Sequence, residues 1–244
     1  MPLLEVDRVS KRFGGLRAIS DAAFSIAENE IVFLVGPNGA GKTTLFNLIT
    51  GFLHPDAGSI RFRGQDVTTI TPNRAARIGI GRTFQIVKPL GSLTVLQNVM
   101  LGAFLHTSSR SKAASAAQDV LAYLRMEALA HLTARELPLA MLKRLEIARA
   151  LATKPKLILL DEVVAGLSTS EALVLAGLLK KLPERGVAAV GGIEHVMRVV
   201  MSVADRVVVL DHGAQIAEGK PREVVQMPVV IEAYLGAKYR ERGL

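Results

Sequence analysis

The chain has 244 residues, 30 basic against 22 acidic for a net charge of +8, and half of its residues are hydrophobic. That length suits one large domain, or a core carrying a subdomain, with enough chain to bury a sizeable core. The absence of cysteine removes disulfide scaffolds, thiol nucleophiles and Cys-ligated metal sites, and the five scattered histidines show no metal-ligand spacing.

The apolar residues are dispersed: the densest stretches, 172–179 and 196–201, fall far short of the ~18 continuous apolar residues of a spanning helix. Residues 1–13 carry Glu5 and Asp7 ahead of the first basic residue and lack the apolar stretch of a signal peptide, so a cytosolic location is expected. The positive charge suits nucleic acid, a membrane surface or a polyanionic small ligand such as a nucleotide. An aromatic content of 5% offers no stacking platform for single-stranded nucleic acid.

In chain order, residues 3–9 and 22–26 read as short antiparallel strands around a turn at Gly14-Gly15. Residues 31–35 are a continuous apolar run, the pattern of a strand buried in a parallel sheet. The glycine-rich stretch 36–41 follows, and then a helix over 42–50. Thr71-Pro72 starts a helix with proline at its first position, Thr94 caps a helix over 95–105, and 113–129 reads as another, joined by a flexible serine-rich link at 107–112. Strands at 157–160, 187–190 and 206–210, with a helix over 169–182 between the first two, complete the alternation of a parallel sheet with helices on its faces. The fold class expected is therefore α/β. It has a P-loop core built from 1–89 and 153–220, with an antiparallel β subdomain, a helical subdomain inserted at 90–152 and a C-terminal helical extension at 221–244.

Gly36-Pro37-Asn38-Gly39-Ala40-Gly41-Lys42-Thr43-Thr44 fits GxxxxGK[ST] between a predicted strand and a predicted helix. Such glycines let successive N–H groups and the helix N-terminus converge on phosphate. Lys42 would reach the β and γ phosphates and Thr43 would offer a hydroxyl to Mg²⁺. The apolar strand 157–160 ends in Asp161 and Glu162, at the carboxyl end where parallel sheets bind ligands. Asp161 would hold the metal through water and Glu162 would polarise the attacking water. No Asn-Lys-x-Asp string occurs, which removes a GTPase.

With Asp161 placed 119 residues after Lys42, Gln85 behind Arg82-Thr83-Phe84, and His195 behind Glu194, nearly the whole chain resembles the ATP-binding subunits of ABC transporters. The resemblance implies roles residue by residue. Phe13 would stack on adenine, although a lone Phe at a strand end also suits a core. Gln85 would sense Mg²⁺ and the transmembrane partner, and His195 would contact the γ-phosphate. Arg82 to Gln85, the stretch 93–99, the helix 144–151 and the C-terminal Ile231-Glu232-Ala233-Tyr234-Leu235-Gly236 are similar to the high-affinity branched-chain amino-acid importers, a pattern that urea and amide importers share. The cofactors implied are ATP and Mg²⁺. The partners implied are transmembrane permease subunits, a second ATP-binding subunit and, indirectly, a periplasmic or extracellular solute-binding protein, with no nucleic acid. The location implied is the cytoplasmic face of the plasma membrane.

The chain departs from the family at its signature. Where LSGGQ or LSYGQ would cap the γ-phosphate on the opposite subunit, residues 137–141 read Leu137-Pro138-Leu139-Ala140-Met141. Pro138 has neither hydroxyl nor N–H, and Ala140 adds a Cβ where backbone would approach phosphate. Val163 and Ser168, in the loop that follows Glu162, depart as well, and both are expected on the face toward the partner. One-sided damage of this kind favours a heterodimer with one competent composite site. The alternative is an ATP-binding regulatory partner with little hydrolysis of its own.

Overall fold

The computed structural model describes residues 1–85, 89–187, 189–194 and 196–235. The chain opens with a hairpin, β1 (Leu4–Phe13) and β2 (Leu16–Ile26), followed by β3 (Glu30–Val35) and α1 (Lys42–Ile49). Next come β4 (Ala57–Phe62), β5 (Gln65–Asp66), α2 (Pro72–Ile78) and β6 (Ile80–Arg82). Three helices follow, α3 (Val95–Ala103), α4 (Arg110–Tyr123) and α5 (Leu139–Ala152), before the chain returns as β7 (Leu157–Asp161). It ends with α6 (Thr169–Leu179), β8 (Ala189–Ile193), α7 (Met197–Val203), β9 (Arg206–Asp211), β10 (Ala214–Gly219), α8 (Pro221–Val224) and α9 (Pro228–Leu235).

Among the described residues the ten strands join in the order β5-β4-β1-β2-β10-β9-β3-β8-β7-β6. The stretch from β9 to β6 is parallel, and the stretch from β5 to β2 is antiparallel. They meet where β10, antiparallel to β9, pairs Ala214 with Ser20 of β2. The all-buried runs of β3 and β7 are what a strand covered on both faces requires. One apolar core, holding Phe33, Val99, Leu121, Leu145, Ile158 and Leu175, lies under the helices. The other, holding Leu4, Ile19, Leu45, Ile49, Ile60 and Phe62, lies between α1 and the antiparallel strands.

The hairpin is longer than its sequence pattern indicates. Register shifts at Val6/Val9, Val9/Lys11 and Lys11/Arg12, with Arg8 (φ 47°) and Asp21 (φ 46°) in left-handed conformation, break the two-residue alternation that marks a strand. Strand β8 lies two to three residues beyond the predicted 187–190 because its glycines belong to it. A Cβ on Gly192 would lie 2.4 Å from the Phe33 ring, and one on Gly191 would lie 2.7 Å from Leu159 Cδ2. The serine-rich segment 107–112 is not a free link. Ser109 caps α4 by accepting from the Lys112 N–H at 3.4 Å, and the helix already includes residues 110–112.

Two predicted helix starts hold in detail. Thr71 precedes Pro72 at the first turn of α2, and Thr94 forms a capping box with Gln97 on α3. Asn98, fully buried on α3, accepts from the Leu90 N–H at 3.0 Å and donates to the carbonyls of Leu90, Leu93 and Thr94. That clasp fixes where the chain re-enters the helical block after Gln85.

Candidate nucleotide site

The loop 36–41 leaves the end of β3 and enters α1 with no side-chain cap. It is braced from behind by the β9–β10 turn, where the Gly213 N–H donates to Ala40 O at 3.1 Å and Gly213 O accepts from the Ser20 N–H at 2.8 Å. Two glycines are demanded by space as well as by torsion. At Gly36 (φ +146°) a Cβ would lie 2.0 Å from Leu210 O, and at Gly41 (φ +98°) it would lie 2.5 Å from Ala18 O. Gly36→Ala is expected to destabilise the chain by about 3 kcal/mol, lowering the midpoint of thermal unfolding by about 10 °C. A melt within 2 °C of the parent would show that the loop relaxes around the methyl.

Lys42, 6% exposed, extends back along the loop and donates to the carbonyls of Gly36 and Pro37 at 2.8 Å each. Burial pulls its pKa below the ordinary lysine value, against the opposing pull of Glu162 and Asp161. Those two carboxylates therefore stand close enough for their charge to reach the ammonium. Thr43 is exposed beside it.

At the end of β7, Asp161 is 1% exposed and its N–H donates to Thr83 Oγ1 at 3.0 Å. Its Oδ2 accepts from Arg82 Nη2 at 3.0 Å, while Oδ1 has no hydrogen-bond partner among the described residues. Burial raises the Asp161 pKa, and Arg82 opposes the rise. A buried carboxylate oxygen left over after its ion pair, on the same groove as an exposed threonine hydroxyl, is an oxygen donor set that fits a hard divalent cation.

Glu162 turns sharply out of the strand at φ 48°, with its N–H on Ile193 O at 2.9 Å. That left-handed backbone is uncommon for a non-glycine residue and is held by its surroundings. Gln85 Nε2 donates to Glu162 Oε2 at 2.8 Å. The Lys143 ammonium, 5% exposed on α5, donates to Glu162 O at 3.1 Å and Gln85 O at 3.2 Å. Glu194, 2% exposed, accepts the Val164 N–H at 3.1 Å. His195 lies outside the described residues.

Phe13 ends β1 with its ring 45% exposed and Lys11 Nζ 5.8 Å from its centroid, so it is not a core residue. Gln85, Asp161 and Thr43 also line a groove of about 820 Å³ between the sheet and α5, walled by Phe52, Arg82 and Phe84.

A family model described as ABC transporter matches residues 19–165. The chain belongs to the ABC transporter family. A second model, for branched-chain amino acid ATP-binding cassette transporters, matches residues 214–240 of this ABC cassette. The high-affinity branched-chain amino acid transport ATP-binding protein BraF of Pseudomonas aeruginosa is 36% identical, with 96% of this chain and 98% of BraF covered. The corresponding LivG of Escherichia coli is 39% identical over the same shares. Among solved structures, the ADP conformation of an ATP-binding cassette of an ABC transporter superposes with a TM-score of 0.88 at 32% identity, covering 97% of this chain and 99% of that one. The cassette thus has the P-loop α/β fold expected from its sequence, and none of its described helices is long and apolar enough to cross a membrane.

Two residues of the cassette's site carried no role in the sequence reading. Lys143 occupies the buried stripe of α5 with Ala140, Ile147 and Leu151, so a charge at core spacing was the available signal. Arg82 lies inside the Arg82-Thr83-Phe84-Gln85 string, where sequence alone marks likeness and not contact. Two of the departures, Ala140 in the signature and Val163 in the following loop, are differently placed than expected. Ala140 is 7% exposed and Val163 is 3% exposed, so both side chains face their own chain. Ser168 caps α6 in a box with Glu171.

Proposed function

We propose that the chain hydrolyses MgATP to energise an importer of branched-chain amino acids or related small polar solutes, as a peripheral subunit on the cytoplasmic face of the plasma membrane. The observation that carries the reading is the convergence of Lys42, Asp161, Gln85 and a strained, hydrogen-bonded Glu162 at the mouth of the phosphate loop. Loop N–H groups and Lys42 take the phosphates, and Phe13 stacks on adenine. Glu162, aimed by Gln85, takes the proton of the water that attacks the γ-phosphorus, so that ADP and phosphate leave. The family resemblance assigns the γ-phosphate contact to His195. When bound, Mg²⁺ neutralises charge on the β and γ phosphates, and Thr43, Gln85 and Asp161 would hold it. A base so placed argues against a module that only binds ATP.

The permease docks in the groove beside Gln85, and the solute-binding protein delivers cargo to the permease without touching this chain. The cargo reading is supported by the names of the relatives and by the match at 214–240. We read residues 1–89 and 153–220 as the nucleotide-binding core, 90–152 as the helical subdomain and 221–244 as its extension.

The signature region of this subunit is poor in donors, which favours a second, different ATP-binding subunit. Phosphate release by the chain alone is therefore expected to be lower by about 10²-fold than in a mixture with its co-encoded partner. Equal turnover in the two samples would show that residues 137–141 work as a signature without help.

A further inference from the structure

Arg82 is a charged residue that joins the nucleotide site to the groove. Its Nη2 holds Asp161 Oδ2 at 3.0 Å, and its Nη1 donates to Asn47 Oδ1 on the phosphate-loop helix α1 at 2.6 Å and to Thr50 Oγ1, at the C-cap of that helix, at 3.2 Å. The side chain is 6% exposed. Around it stand three phenyl rings, with centroids 5.1 Å (Phe84), 5.8 Å (Phe46) and 5.9 Å (Phe52) from the guanidinium carbon. Phe52 and Phe84 meet edge to face at 5.7 Å and line the groove, 52% and 45% exposed. The planar fork thus occupies one carboxylate oxygen from a fixed direction and leaves the other, Oδ1, unpartnered among the described residues.

We propose that Arg82 is a positioning residue for the metal ligand Asp161, held from the aromatic wall of the groove, so that the groove's lining sets how firmly Asp161 presents Oδ1 to Mg²⁺. The proposal rests on the reading of the site as an MgATP site. Removing the guanidinium leaves a buried carboxylate oxygen uncompensated and free to turn. Removing the nearest ring lets water into the cage and loosens the fork, because cation–π attraction weakens with solvation.

The test is made in the full chain carrying Glu162→Gln, so that nucleotide is not consumed. Binding of a fluorescent ATP analogue is titrated in EDTA and then against Mg²⁺, with Mn²⁺ paramagnetic resonance reporting on the metal directly. Arg82→Met is expected to raise the Mg²⁺ concentration for half-maximal effect at least tenfold while changing binding in EDTA less than twofold. Arg82→Lys, which keeps the charge and loses the fork, is expected to fall between the two. Phe84→Ala, at an exposed position that does not threaten folding, is expected to shift the Mg²⁺ midpoint about threefold. A folded Arg82→Met with a midpoint within twofold of its parent overturns the role of Arg82, and if that variant does not fold, an unmoved Phe84→Ala overturns it instead. No analogue binding by the parent chain in either condition would overturn the reading of the site itself.

Discussion

Glu162→Gln is expected to lower ATP turnover by about 10²- to 10⁴-fold, the range for removing a positioned general base, while the affinity for ATP changes less than threefold. The substitution is close to isosteric, and the amide oxygen can still accept from Gln85 Nε2, which lies 2.8 Å from Glu162 Oε2. The backbone is anchored independently of the carboxylate, through the N–H on Ile193 O at 2.9 Å and the carbonyl under Lys143 Nζ at 3.1 Å. What the variant loses is basicity and one negative charge felt by Lys42, while the Lys42 hydrogen bonds to Gly36 O and Pro37 O stay in place. Single-turnover phosphate release, measured beside equilibrium binding of ATP, separates the two quantities. Turnover within tenfold of the parent would remove Glu162 from the role of base, and a joint loss of binding would point to a structural defect instead.

The phosphate loop and the ends of the central strands were legible in the sequence because their chemistry is local. A phosphate cradle needs glycines at fixed spacing, and Gly36 and Gly41 have no room for a Cβ. A two-sided buried strand needs an unbroken apolar run, as β3 and β7 have. What stayed hidden depends on contacts between residues far apart in the chain. Strand β10 is only half buried along its length and has no apolar alternation, so it exists because β9 and β2 offer it edges. Arg82 reaches an aspartate 79 residues further on, and Lys143 reaches across from the helical block to the backbone of Gln85 and Glu162. No periodicity announces such pairs. The burial of Ala140 and Val163 was hidden for the same reason, since which face of a loop meets solvent is decided by what packs on it.

That burial relocates the defect in the signature and sharpens its test. Pro138 is the N-cap of α5, and its carbonyl accepts from the N–H groups of Met141 and Leu142 at 3.0 Å each, with no side chain capping the helix. The exposed members of the segment are Pro138 and Leu139, the latter 47% exposed. A phosphate on a facing subunit would therefore meet a ring without a donor and an isobutyl group over the helix N-terminus. Pro138→Ser with Leu139→Gly restores a hydroxyl at the cap and opens the first-turn N–H groups. Serine at an N-cap stabilises a helix by about 1 kcal/mol, and glycine in place of leucine costs at most about 1 kcal/mol, so the net change in stability is close to zero. A change in turnover then reports on the loop. Recovery of oxyanion donors of this kind is worth about 10²-fold in rate. The doubly substituted chain is therefore expected to hydrolyse ATP alone about 10²-fold faster than the parent. The gain should be lost again with Glu162→Gln and should depend on protein concentration, as a composite site between two copies requires. Ala140→Gly, at the buried position, is expected to give no such gain. An unchanged rate in the double variant would mean that the outer face of residues 137–141 does not limit this chain, and the case for an asymmetric pair would fall with it.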